Sequence, residues 1–312
     1  MSGVRLNYLQ NEMNETAILL EPTFVRQLKF YLFISIECPS ISIAIYVLYR
    51  FFRSYEIRSR LNNHSIIALL FTSCIAITTE LPITLRFLKT GNVQPKTKGF
   101  CLFWIWYNFS LQSINLFLMA WLSIERHILI FHSNLIQTSV GKIKWHYIPL
   151  SFSMIYIPLF YFFCIFIYSC ENSFNYSLLF CGSICYNDLF WLASYDWIIN
   201  IFIPAIIIPF ASIILLIRVL MQKKRMKRTV TWKTTRKMTI QLMSISSVYS
   251  IFWVLYGLAI LIRLYFIPTF LDIIILYYLQ YLPYIVQLLM PIICFACLPE
   301  LWPRKIRIAP VS

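Results

Sequence analysis

Residues 101–126 read CLFWIWYNFSLQSINLFLMAWLSIER, and His127 follows. A cysteine opens a long apolar run, and the run closes on Glu125, Arg126 and His127. As an α-helix this stretch extends roughly 37 Å, which is a bilayer plus part of its headgroups. One end is thus placed to hold a disulfide. The other places a cation at the mouth of a helix bundle.

The composition around it agrees. The chain has 312 residues, of which 60% are hydrophobic and 12% charged, with mean hydropathy +0.71. Soluble domains carry about 25% charge, so an integral membrane protein is expected. Seven apolar stretches near 28–52, 65–88, 100–126, 147–168, 196–221, 238–263 and 271–297 are each long enough to span. The apolar run 189–195 blurs the boundary between the fourth and fifth. The expected fold is an all-α bundle of seven transmembrane helices over 28–297, with a short segment 1–27 before it and a short tail 298–312 after it.

The net charge of +15 is unevenly spread. Most of the 27 Lys and Arg fall in 50–60, 126–144, 218–237 and 304–307, opposed only by Glu56, Glu125 and Glu300. Basic connections mark the cytoplasmic side, which puts the N-terminus outside and the C-terminus inside. The charge is thereby an orientation signal and gives no reason to expect nucleic acid. The stretch 222–237 reads as two helix extensions with a very short loop, attracted to anionic lipid. The first 26 residues lack the basic start, apolar run and small-residue site of a signal peptide, so the first apolar segment is expected to direct insertion.

Cys101, Cys170, Cys181 and Cys185 share the outer side, where disulfides persist. Four cysteines allow three pairings, and Cys101–Cys185 with Cys170–Cys181 closing a small loop is the favoured one. Zinc is the other reading, but His64, His127, His132 and His146 all lie on the opposite side, so no metal is expected. Asn14 and Asn175 head sequons on the outer side and are the expected glycosylation sites. Eight prolines fall inside spans; there they kink packed helices or let helix halves swing. No catalytic set, phosphate loop or cofactor motif is found, so neither an enzyme nor a cofactor is expected.

These features resemble the rhodopsin-like G-protein-coupled receptors. The distance from Cys101 to Arg126 matches that family's distance from its disulfide cysteine to its Asp/Glu-Arg-Tyr arginine. Pro82 and Pro204 match prolines of its second and fifth helices. The stretch Tyr249-Ser-Ile-Phe-Trp253-Val-Leu-Tyr256 resembles its sixth-helix switch, with Trp253 as the switch tryptophan. Met290-Pro291-Ile-Ile-Cys294 is a degraded Asn-Pro-x-x-Tyr. The departures are specific. Ser73 stands at the second-helix aspartate, so the sodium site is expected to be absent. Leu255 replaces the sixth-helix proline, and Ser212 and Cys294 replace two tyrosines.

The resemblance implies a switch of Glu125, Arg126, His127, Tyr249, Trp253 and Pro291, with Glu125 as resting partner of Arg126. It implies a ligand pocket of Glu80, Asn108, Gln112, Asp196, Tyr256, Arg263, Gln280 and Tyr284, with Arg86 nearby. Asn108 stands where amine receptors of the family carry aspartate, which argues against a small amine; the acid- and arginine-bearing vestibule favours a peptide over a lipid or an odorant. The implied partners are an extracellular ligand, a heterotrimeric G protein and membrane lipid, and the implied location is the plasma membrane. The competing reading is a seven-helix chemosensory channel or transporter. That reading calls for a polar lining or paired repeats, and the middles of these spans carry few charges.

Overall fold

A computed structural model describes residues 21–182, 184–225, 229–267 and 269–297. All regular secondary structure among them is helical. Seven helices are long and apolar enough to cross a membrane. We label them α1 (Thr23–Arg53), α2 (Asn63–Thr90), α3 (Lys98–Phe131), α4 (Ser139–Ile167), α5 (Phe190–Met221), α6 (Met243–Tyr265) and α7 (Asp272–Ala296). The chain is a multi-pass membrane protein. The ambiguous run before residue 196 belongs to α5, and α4 starts well before the 147 expected from hydropathy. The side chains of the basic stretch 222–237, the residues around Asn14 and the tail from 298 lie outside what the structure describes.

Consecutive helices pack side by side except α4 and α5, which meet through Tyr156, Phe160 and Tyr161, and α7 closes the ring against α1 and α2. The third helix touches α2, α4, α5 and α6. Its span is 61% buried, against 28% for α1 and α4. This explains why α3 alone mixes Asn108, Gln112, Asn115 and Ser123 into an apolar run: those residues face protein, not lipid. Exposed Leu, Ile and Phe on α1, α4 and α5 form the outer surface, where a bilayer removes the penalty that water would impose.

Three spans share one irregularity. The helix widens to π-geometry over Ala76–Glu80, Ile143–Tyr147 and Asp196–Phe202. Each wide turn ends two residues before a proline, namely Pro82, Pro149 and Pro204. Proline has no N–H to give and its ring crowds the carbonyl four residues back, and the wider turn relieves both. Side chains satisfy carbonyls freed nearby. Thr78 and Thr79 hydroxyls donate to the Cys74 and Ile75 carbonyls at 2.7 and 2.6 Å. The Trp106 indole donates to the Pro158 carbonyl at 3.0 Å.

The cysteine pairing differs from the expectation. Cys101 bonds Cys181, and Cys170 bonds Cys185. The loop between α4 and α5 doubles back, with the Cys185 amide on the Asn172 side chain at 2.9 Å. Phe180 and Cys181 adopt left-handed conformations with φ of 55° and 59°. The reversal carries Cys181 over the start of α3 and leaves Cys185 beside Cys170. Sequence distance alone could not reveal that fold-back.

Candidate functional site

Each of these three proline-preceding wide turns delivers a buried polar group to the bundle interior: Glu80 on α2, His146 on α4, and Asp196 with Asn200 on α5. A charge inside the hydrocarbon layer must find partners, and each of these does.

Glu80, 1% exposed, accepts three hydrogen bonds on one oxygen. Trp104 Nε1 donates at 3.0 Å, Thr84 Oγ1 at 3.1 Å and the Tyr284 hydroxyl at 2.8 Å. Asn108 Nδ2 donates to Tyr284 at 2.8 Å and so joins α3 to the same network. Asp196 accepts from the Tyr161 hydroxyl at 2.9 Å, from Asn200 Nδ2 at 2.9 Å and from the Tyr186 hydroxyl at 3.1 Å. Tyr186 comes from the α4–α5 loop and is fully buried.

Between the two networks lies a cavity of about 60 Å³, several times the space one water needs. Of the residues assigned from sequence to a pocket, Asn108, Gln112, Asp196, Tyr256 and Gln280 line this cavity, and Trp253 also lines it. Trp197 meets Tyr256 edge-to-face at 5.4 Å, and Trp253 lies 6.3 Å from Tyr256. Tyr284 and Glu80 stand outside the lining and reach the cavity through Asn108. Arg263 does not join it: its guanidinium pairs with Asp272 at 3.1 Å on the exposed rim. Arg86 bonds Gln94 at 3.0 Å and leaves Glu80 to its neutral donors. Sequence reasoning missed Trp104, Tyr161, Tyr186 and Phe180. Tyr186 follows a disulfide cysteine directly, a signal that places it on the loop held over the bundle.

At the opposite end, Glu125 and Arg126 are 0% and 3% exposed. Ser65 Oγ donates to Glu125 Oε2 at 2.5 Å, and the other carboxylate oxygen pairs with His146 Nδ1. Sequence reading offered Glu125 as a partner for Arg126; the structure adds α2 and α4 as its anchors. His127 Nε2 reaches the Ala211 carbonyl of α5 at 2.6 Å. Tyr249 and Trp253 are buried at 1% and 4% and share one face of α6. Ser212 and Ser246 join α5 to α6 at 2.6 Å, at a level where the resembled family has a tyrosine on α5. Pro291 lies inside α7, between Met290 and Cys294, whose sulfurs are 4.0 Å apart. Asn175 is exposed on the α4–α5 loop, with its side chain accepting from the Ser177 amide at 3.0 Å.

No family model matches this chain, and no curated protein matches it.

Proposed function

We propose that this protein is a receptor of the rhodopsin-like, G-protein-coupled kind, with its disulfide end outside the cell and its Arg126 end facing a heterotrimeric G protein. One observation carries the reading. The aromatic floor of the cavity, Trp253 with Tyr256, sits on the same helix face as Tyr249, one turn further toward the Arg126 end. A ligand pressing on Trp253 therefore acts on the helix that, together with α5, bounds the far end of α3. A ligand that prefers one arrangement of α6 shifts the equilibrium toward it.

The disulfides fit an oxidising exterior, and the basic connections fit a cytoplasmic one. Both support a plasma-membrane location. Charges of both signs lie nearby at this end of the bundle: Glu21 and Arg26 line a second, smaller pocket that shares Gln280 with the cavity, Lys29 pairs with Glu21, and Arg263 pairs with Asp272. Charges of both signs there favour a peptide whose terminus enters the cavity. Purified protein in lipid nanodiscs, incubated with a panel of Gα subunits, tests the proposal through nucleotide exchange. Exchange above the lipid-only control supports it. Absence of exchange, together with ion current in patched cells, transfers the chain to the channel class.

A further inference from the structure

Near Arg126, side chains of α2, α3 and α4 form one unbroken chain of contacts. Ser65 donates to Glu125 Oε2. Glu125 Oε1 meets His146 Nδ1. His146 Nε2 meets His64 Nδ1 at 3.2 Å. His64 Nε2 meets the Arg58 carbonyl at 2.9 Å. Ser65, Glu125 and His146 are 0% exposed, and His64 is partly exposed.

Counting protons along this chain gives a definite result. A carbonyl only accepts, so His64 Nε2 carries hydrogen. A neutral imidazole has one N–H, so His64 Nδ1 is then a bare lone pair. From the other end, a carboxylate also only accepts, so His146 Nδ1 carries hydrogen and its Nε2 is bare. Two lone pairs would face each other across 3.2 Å. One further proton resolves the conflict. It sits between the rings, making one of them an imidazolium. Alternatively it sits on Glu125, which then donates to His146 and frees His146 Nε2–H to donate to His64. Either placement adds the same single proton to one carboxylate and two neutral rings.

We propose that Glu125, His146 and His64 form a proton-binding site that holds one shared proton and ties the packing of α2, α3 and α4 to pH. The proton enters from water through the partly exposed His64 and leaves the same way. Loss of it takes the trio from neutral to a charge of −1 beside Arg126, and sets two lone pairs against each other at the α2–α4 seam. The groups against the site are Arg126 on α3, which feels the Glu125 charge, and Tyr147 on α4, while Arg58, Arg60, Lys142 and Lys144 are the basic residues within a few positions of His64 and His146 along the chain. The Tyr147 ring lies 4.7 Å from His146 and 6.3 Å from His64. The site stands whether or not the receptor reading holds. Its effect on signalling rests on that reading.

Full-length chain in nanodiscs, labelled with ¹⁵N-histidine, tests the site across pH 5 to 9, since the sequence holds only four histidines. His64 and His146 are expected to titrate as one coupled unit that releases a single proton. Thermal unfolding gives the second readout. Where the unfolded chain has already lost its imidazole protons and the folded trio still holds one, the folded-to-unfolded ratio of the wild type is expected to fall about tenfold per pH unit, levelling off above the point of release. In His64→Gln the amide can donate to His146 without an added proton, so this dependence should flatten. Two rings that titrate independently overturn the proposal. So does an identical pH dependence in wild type and His64→Gln. If that variant does not fold, the titration of the wild type decides alone. Neither readout uses ligand or G protein, so failure here is distinct from failure of the receptor reading.

Discussion

The Tyr186 hydroxyl donates to Asp196 Oδ2 at 3.1 Å, which fastens the α4–α5 loop to a carboxylate inside the bundle. Tyr186→Phe keeps the ring and removes that donor. It leaves a buried carboxylate oxygen short of a partner, at a cost of about 1–3 kcal/mol. Thermal unfolding in detergent is expected to show the loss, and a wild-type melting curve would remove the loop from the site.

Glu80 organises three donors on one oxygen. Glu80→Gln retains an acceptor there, whereas Glu80→Leu strands Trp104, Thr84 and Tyr284 together. The expected order of stability is wild type, then Gln, then Leu, with the last step worth about 1–3 kcal/mol or more. Equal stability of Gln and Leu variants would mean that the network contributes nothing.

Arg126→Ala is expected to abolish nucleotide exchange on Gα while surface expression stays near wild type. Antibody labelling of intact cells measures the second quantity. Coupling retained in this variant would remove Arg126 from the switch.

The cysteine pairing is open to a direct check. Non-reducing peptide mapping should recover Cys101 linked to Cys181 and Cys170 linked to Cys185. Removing one disulfide from a small domain costs about 2–5 kcal/mol, so Cys101→Ser should lower surface delivery. A peptide joining Cys101 to Cys185 would restore the simpler loop expected from sequence.

Ser212 and Ser246 form a hydroxyl pair at 2.6 Å between α5 and α6. A double-mutant cycle to alanine should return a coupling of about 0.5–1.5 kcal/mol in thermal stability. A coupling near zero would show that the two helices are held there by packing alone.

What the sequence made legible follows from physics that acts over long runs. Twenty apolar residues in a row have one stable environment, so the spans were readable, and Asn108 and Gln112 could be assigned to one face. Short-range features were harder. His146 could be placed only on the side opposite the outer cysteines, because nothing in the residues around it announces a wide turn that carries it inward. The partners of Glu80 stayed open, since a sequence cannot show that Trp104 and Tyr284 point at it from other helices. The cysteine pairing depended on left-handed backbone at Phe180 and Cys181, neither of which is glycine. The mismatched cavity member Arg263 failed for a similar reason: its partner Asp272 lies across a turn whose path hydropathy does not encode.

The wide turns ahead of Pro82, Pro149 and Pro204 have a consequence for how this fold tolerates change. Each fits one extra residue into a helix without lengthening its crossing. A wide turn of five residues rotates and rises about as far as four residues of ordinary helix, so deleting one residue there would restore ordinary winding with both flanks still in phase. Deleting one anywhere else in these spans would rotate everything on one side by about 100°. Glu80, His146 or Asp196 would then swing toward the acyl chains while the amino-acid composition stayed almost the same. The orientation of the polar interior is thus stored in the helix phase, and a one-codon deletion outside the wide turns should be more damaging than one within them.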